Sequence, residues 1–230
     1  MHYCSTRSPY PLFKLAAVLV VLFEDAGELR VLLTTRSKTL RTHAGQTALP
    51  GGRYDTVDKN LVDTAYREAF EEVALPLYCP DLYTICLMPP RISLHGLIVT
   101  PVVALLTDPA VLQRLVPSAD EVAHIFTHPL RALLDPSLIN REAMVPRDSE
   151  NWFYPEEYHN FTDASVDVLG GSMYRNHRFR STASPVKGLT SDILIQCAEV
   201  AFQESTLYER YAPGQYRDFF QVMNALKHSS

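Results

Sequence analysis

Three carboxylates at close spacing, Glu68, Glu71 and Glu72, are the first residues in this sequence that suggest chemistry. On a helix they fall at i, i+3 and i+4 and share one face. Like charges packed this way repel one another by an amount comparable to ordinary helix-pair energies. That cost is offset if the carboxylates bind a hard divalent cation, which prefers oxygen ligands. Arg67 stands four residues before Glu71 and four after Asp63. Its rigid fork is suited to holding and orienting a ligating carboxylate. Upstream, Gly51-Gly52 lets the backbone come close to a metal or a phosphate. An isolated E-x-x-E-E is usually a solvated helix face. The glycine pair, the arginine and a preceding loop rich in Arg, Lys, Thr and His favour the chemical reading here.

These groups need a scaffold. Residues 15–23 are apolar, rich in β-branched side chains and bounded by polar ones, which predicts a buried central strand. A turn at 24–28 and a second strand at 29–34 complete a hairpin. The stretch 35–52 has loop chemistry, and its length points to function rather than connection. Residues 58–73 carry a helical period, with Leu61, Ala65 and Ala69 flanked by Val62, Tyr66, Phe70 and Val73 in one stripe. Strands are expected at 82–88, 97–106 and 122–127, a short helix near 109–115, a returning strand at 174–179 and a helix at 190–204. Segment 135–176 is rich in Pro, Asn, Asp and Gly around Trp152, Phe153, Tyr154, Tyr158 and Phe161. It reads as an irregular surface insertion within a single domain over 1–230.

Bulk properties narrow the function. The chain has 230 residues and a net charge of −5, so broad binding of nucleic acid or anionic membranes is not expected. The apolar run 15–23 is too short to cross a bilayer as a helix, and the first 13 residues lack a secretory stretch. The 4 cysteines form no CxxC pair and read as reduced thiols. His43, His95 and His128 have no zinc-like spacing.

The segment from Gly52 to Leu75 resembles the Nudix box, G-x5-E-x7-R-E-U-x-E-E-x-G-U, where U is a bulky aliphatic residue. It departs at Asp58 for the first Glu, at one inserted residue before Arg67, at Ala69 and at Ala74 for the usual glycine. Arg67, Glu68, Glu71 and Glu72 match. Residues 32–52 further resemble the coenzyme A diphosphatase subgroup, L-L-T-x-R-S-x3-R-x3-G-x3-F-P-G-G, with Leu49 alone departing from it. Stretches near 96–103, 120–130 and 184–190 are also similar to that subgroup, notably to fungal peroxisomal members.

The resemblance implies an α/β/α sandwich with a mixed sheet. It implies Mg²⁺ or Mn²⁺ held by Glu68, Glu71 and Glu72, with Arg67 supporting them. The proton of the attacking water would pass to Glu68 or to an acid outside the box, for which Glu121 is the candidate. Arg36 and Arg41, with Gly51 and Gly52, would hold a substrate such as coenzyme A, cleaved to 4′-phosphopantetheine and adenosine 3′,5′-bisphosphate. Two rival readings are a hydrolase of oxidised nucleoside triphosphates and a non-catalytic Nudix-fold binding module. A peroxisomal location follows from the resemblance alone, because the chain ends Lys227-His228-Ser229-Ser230 without a peroxisomal signal; the cytoplasm and mitochondrion are alternatives. No oligomeric state is predicted.

Overall fold

The computed structural model describes residues 14–93, 96–167 and 171–228. In chain order its elements are β1 (Lys14–Asp25), β2 (Glu28–Arg36), β3 (Thr47–Ala48), β4 (Gly51–Arg53), α1 (Leu61–Val73), β5 (Leu82–Leu87), β6 (Arg91–Ile92) and β7 (Leu97–Leu106). They continue with β8 (Val122–Pro129), β9 (His159–Val166), β10 (Ser172–Phe179), β11 (Val186–Lys187), α2 (Gly188–Phe202) and α3 (Phe219–His228). His95 and the two ends of the chain lie outside the described residues.

β1 explains the layering. Its side chains point alternately to opposite faces, and both faces are apolar. Ala16, Val20 and Leu22 pack with Ile193, Leu194 and Ala198 of α2 in one cluster. Ala17, Leu19, Val21 and Phe23 pack with Ala65, Ala69 and Val73 of α1 in the other. The result is the α/β/α sandwich. The 8-stranded sheet runs β3-β2-β1-β7-β5, with β4 and β1, β6 and β7, and β8 and β2 also paired. It is mixed, because β1 runs parallel to β7 and antiparallel to β2 and β4. The β1–β2 turn is the pair Ala26-Gly27, both with positive φ, the geometry a two-residue hairpin needs.

Several expectations shift on contact with the fold. α1 starts at Leu61, because the Asn60 side chain caps it by accepting from the backbone of Val62 and Asp63. Asp58 therefore stands ahead of the helix. Phe70 is half exposed and outside the apolar stripe. The short helix is a 3₁₀ segment, Pro109–Arg114. Segment 135–176 is less irregular than its composition suggests, since β9 fills much of its second half. β9 lacks an apolar alternation and is specified by its partner, antiparallel β10, which forms a second sheet of 3 strands with β11. Among the described residues no helix is long and apolar enough to cross a membrane.

Candidate active site

α1 carries its acids beside β4, and that contact decides how each behaves. Glu72 lies next to the buried stripe of the helix and is only 3% exposed. The backbone N–H of Gly51 donates to its Oε2 at 3.2 Å, and Arg36 Nη1 lies 3.7 Å from Oε1. Burial is the main force raising the Glu72 carboxyl, to about 8. Gly51 and Arg36 pull the other way, while Glu68 and Glu121 push it further up. Glu68 is also raised, first by burial, against the pull of Arg67 and with added push from Glu71 and Glu121.

Arg67 is the hub. Its Nε and Nη2 grip both oxygens of Asp58 at 2.8 and 3.0 Å, and Nη1 donates to Glu68 at 2.9 Å and Glu71 at 3.1 Å. Asp63, its expected upstream neighbour, instead accepts from the backbone of Lys59. Asp58 is almost fully buried. Burial alone would raise its carboxyl. Hydrogen bonds from Arg67, Asp55 and Thr64 outweigh that and hold it below its ordinary value. Asp58 is thus a structural acid that reasoning from spacing overlooked; its signal was the Glu it replaces in the box.

The glycine pair is explained by close packing. A Cβ on Gly52 would lie 2.4 Å from the Glu68 carboxyl carbon. One on Gly51 would meet Ala17 O at 2.4 Å, in a backbone conformation with φ 155°. These glycines let the carboxylates and β1 press against β4. Glu121 is exposed just before β8, yet its charge acts on both Glu68 and Glu72. Its backbone carbonyl accepts from Ser37 N at 2.8 Å, which ties it to the start of loop 37–46. Arg41 sits exposed on that loop and forms no ion pair among the described residues, so no contact draws it to the carboxylates.

The sequence matches the NUDIX domain over residues 13–167, more than half of the chain. The chain belongs to the NUDIX family. It is 35% identical over 204 residues to Nudix hydrolase 15, mitochondrial, of Arabidopsis thaliana, covering 87% of this chain and 63% of that one. It is 47% identical over 100 residues to the Nudix hydrolase NudL of Pectobacterium atrosepticum, covering 44% of this chain and 50% of that one. The chain thus spans between half and two thirds of the length of these relatives. A Nudix hydrolase from M. smegmatis, RenU, aligns at a TM-score of 0.43 and 24% identity over 53% of this chain and 74% of its own.

Nudix enzymes generally act with a divalent metal ion. The donor set fits one: Glu68, Glu71, Glu72 and Glu121 offer hard oxygen, and two of them are raised by burial and mutual repulsion. Among the described residues no three such side chains already converge on one point, and Arg67 is paired with Glu68 and Glu71.

Proposed function

We propose that this Nudix protein hydrolyses a diphosphate linkage, with coenzyme A as substrate. The observation that carries the reading is Glu72, a carboxylate buried against the Gly51 N–H with Glu68 and Glu121 acting on it. Only the Gly51 N–H and Arg36 oppose that burial, and a carboxylate so placed remains costly unless a further cation joins it. Glu68, Glu71 and Glu72 would hold Mg²⁺ or Mn²⁺, which neutralises diphosphate oxygens and acidifies a bound water. The motif at 32–52 supports coenzyme A in particular, and its loop springs from β2 and β3 beside the acids.

The protein's own residues set the rest. Water forms a bond to one phosphorus, the bridging P–O bond breaks, and its electron pair leaves with the departing phosphate. The water's proton goes to Glu121 or Glu68. Glu121 is the freer base, since its carboxylate makes no hydrogen bond or ion pair among the described residues, whereas Glu68 is bonded to Arg67. Arg36 lies against Glu72, and so serves the diphosphate rather than a remote part of the substrate. Arg41 and the glycine turn complete the proposed substrate contacts. Residence in the peroxisome belongs to the same proposal.

Incubation of coenzyme A with the protein and Mg²⁺ in ¹⁸O-labelled water tests this. The expected products are 4′-phosphopantetheine and adenosine 3′,5′-bisphosphate, with label on one product only. Inorganic phosphate, or free thiol from an acyl derivative, as the primary product would sink the assignment. Faster turnover of 8-oxo-dGTP in a parallel assay would favour nucleotide sanitation. Retained binding without turnover of any diphosphate would favour a binding module.

A further inference from the structure

β10 and β11 place two cations side by side. Arg178 and Lys187 are directly paired across the strands, and their sequence neighbours Phe179 and Val186 are buried in the core. Alternation therefore puts both basic side chains on the other face of the small sheet. Arg178 donates to two neutral groups, Asn160 Oδ1 at 3.0 Å and Thr162 Oγ1 at 2.9 Å. Lys187 is half-buried and makes no hydrogen bond or ion pair among the described residues. Among the described residues neither cation meets a carboxylate, in a chain with 26 acids against 21 bases. Burial, and then Arg178, lowers the Lys187 ammonium from its ordinary value, a sign of a charge short of a counter-ion.

An aromatic pair lies beside them. The Arg178 guanidinium sits 5.1 Å from the centre of the Tyr154 ring, and Phe153 lies 4.3 Å from Tyr154 with 66% of its surface exposed. This region is joined to the loop that leads to the active site. Lys38 Nζ pairs with Glu150 at 2.9 Å. Ser184 bonds Thr35 at 2.9 Å and Thr47 at 2.7 Å, fixing β11 against the stem of loop 37–46.

We propose that Lys187 and Arg178 form a second anion subsite for a phosphomonoester at the nucleoside end of the substrate, with Phe153 as the platform for the base. The inference rests on the diphosphatase reading and extends it to the far end of the substrate. A dianion neutralises both cations at once, and a half-buried setting strengthens that pairing. An exposed ring packed on the ring that a cation covers suits a purine. Arg36, being engaged with Glu72, leaves this task to other residues.

Two measurements on the full chain test it. In the first, kcat/KM is compared for coenzyme A and its 3′-dephospho form. The wild-type protein should prefer coenzyme A, and Lys187→Gln should cut that preference at least about tenfold through KM, with Lys187→Arg restoring most of it. An equal loss on both substrates, or no change, overturns the subsite while leaving the diphosphatase reading intact. The second is calorimetric binding of adenosine 3′,5′-bisphosphate and 5′-AMP, which needs no turnover and so separates the two readings. The bisphosphate should bind the wild-type protein at least about tenfold more tightly than 5′-AMP, with the difference lost in Lys187→Gln. Equal affinity of the wild-type protein for both nucleotides would refute the subsite even if coenzyme A is cleaved.

Discussion

At the scale of single residues, the site is a balance between carboxylate repulsion and the few donors set against it. Glu72→Gln removes an acid whose burial disfavours its charged form, so turnover should fall by two or more orders of magnitude while stability above the ordinary carboxylate range rises. The sign follows from its pKa, raised to about 8 from an ordinary carboxylate value. Between those values the folded state binds more protons than the unfolded chain, so this group erodes stability as pH climbs through that window. Metal-free melting at pH 8 should give a higher Tm for Glu72→Gln than for the parent; an unchanged or lower Tm would show that Glu72 carries no electrostatic strain. Glu121→Gln should reduce kcat by about 10²–10⁴ with little effect on KM, the signature of a general base. A loss confined to KM would move Glu121 to substrate binding.

Helix termini and tight contacts set the next level. α1 is held at its start by Asn60 and capped after Val73 by Ala74, an alanine with φ 56°. Left-handed backbone there explains why glycine is usual at this point of the box. Ala74→Gly should stabilise the protein by roughly 0.5–1 kcal/mol and Asn60→Ala should destabilise it by about 1 kcal/mol, both read from urea midpoints. An opposite sign for Ala74→Gly would mean that glycine's unfolded-state entropy outweighs the relief of strain. Gly52→Ala belongs here too. Its Cβ would collide with the Glu68 carboxylate, so activity should fall more than about tenfold through displaced Glu68 while the far-UV spectrum stays the same. A variant with parental kcat would show that Glu68 can move away without consequence.

Over the whole molecule, buried histidines contribute to the response to acid. His128 is pushed down to about 3 by complete burial and then by Arg30. His159 is held near 3 by burial, His177 and Arg175. Its Nε2 lies 2.9 Å from His177 Nδ1, while His177 Nε2 lies 2.8 Å from the Arg210 carbonyl. A neutral pair satisfies this chain of bonds: His177 Nε2–H donates to the carbonyl, and its Nδ1 accepts from His159. In the unfolded chain His128 and His159 titrate near 6.5. Between that value and about 3 the unfolded state binds more protons, so their contribution is full above pH 6.5 and declines as the pH falls. The urea midpoint should drop between pH 7 and pH 5, and His128→Leu should flatten that slope. An unaltered slope would assign the acid sensitivity to other groups.

Sequence alone determined the parts whose physics is local. The two apolar faces of β1 follow from an uninterrupted β-branched run, and the i, i+3, i+4 spacing puts Glu68, Glu71 and Glu72 on neighbouring positions of one helix. The fixed offsets around Arg67 and Gly51-Gly52 marked the family. Spacing along the chain carries no distances between elements, so the fold decided the rest. Glu72 became the buried acid because β4 closes over it, and Asp58 became the anchor of Arg67 because Asn60 caps α1 later than expected. β9 was hidden because a polar strand is specified by the strand it pairs with. Lys187 and Arg178 lie nine residues apart on separate strands, and only the β10–β11 register makes them neighbours.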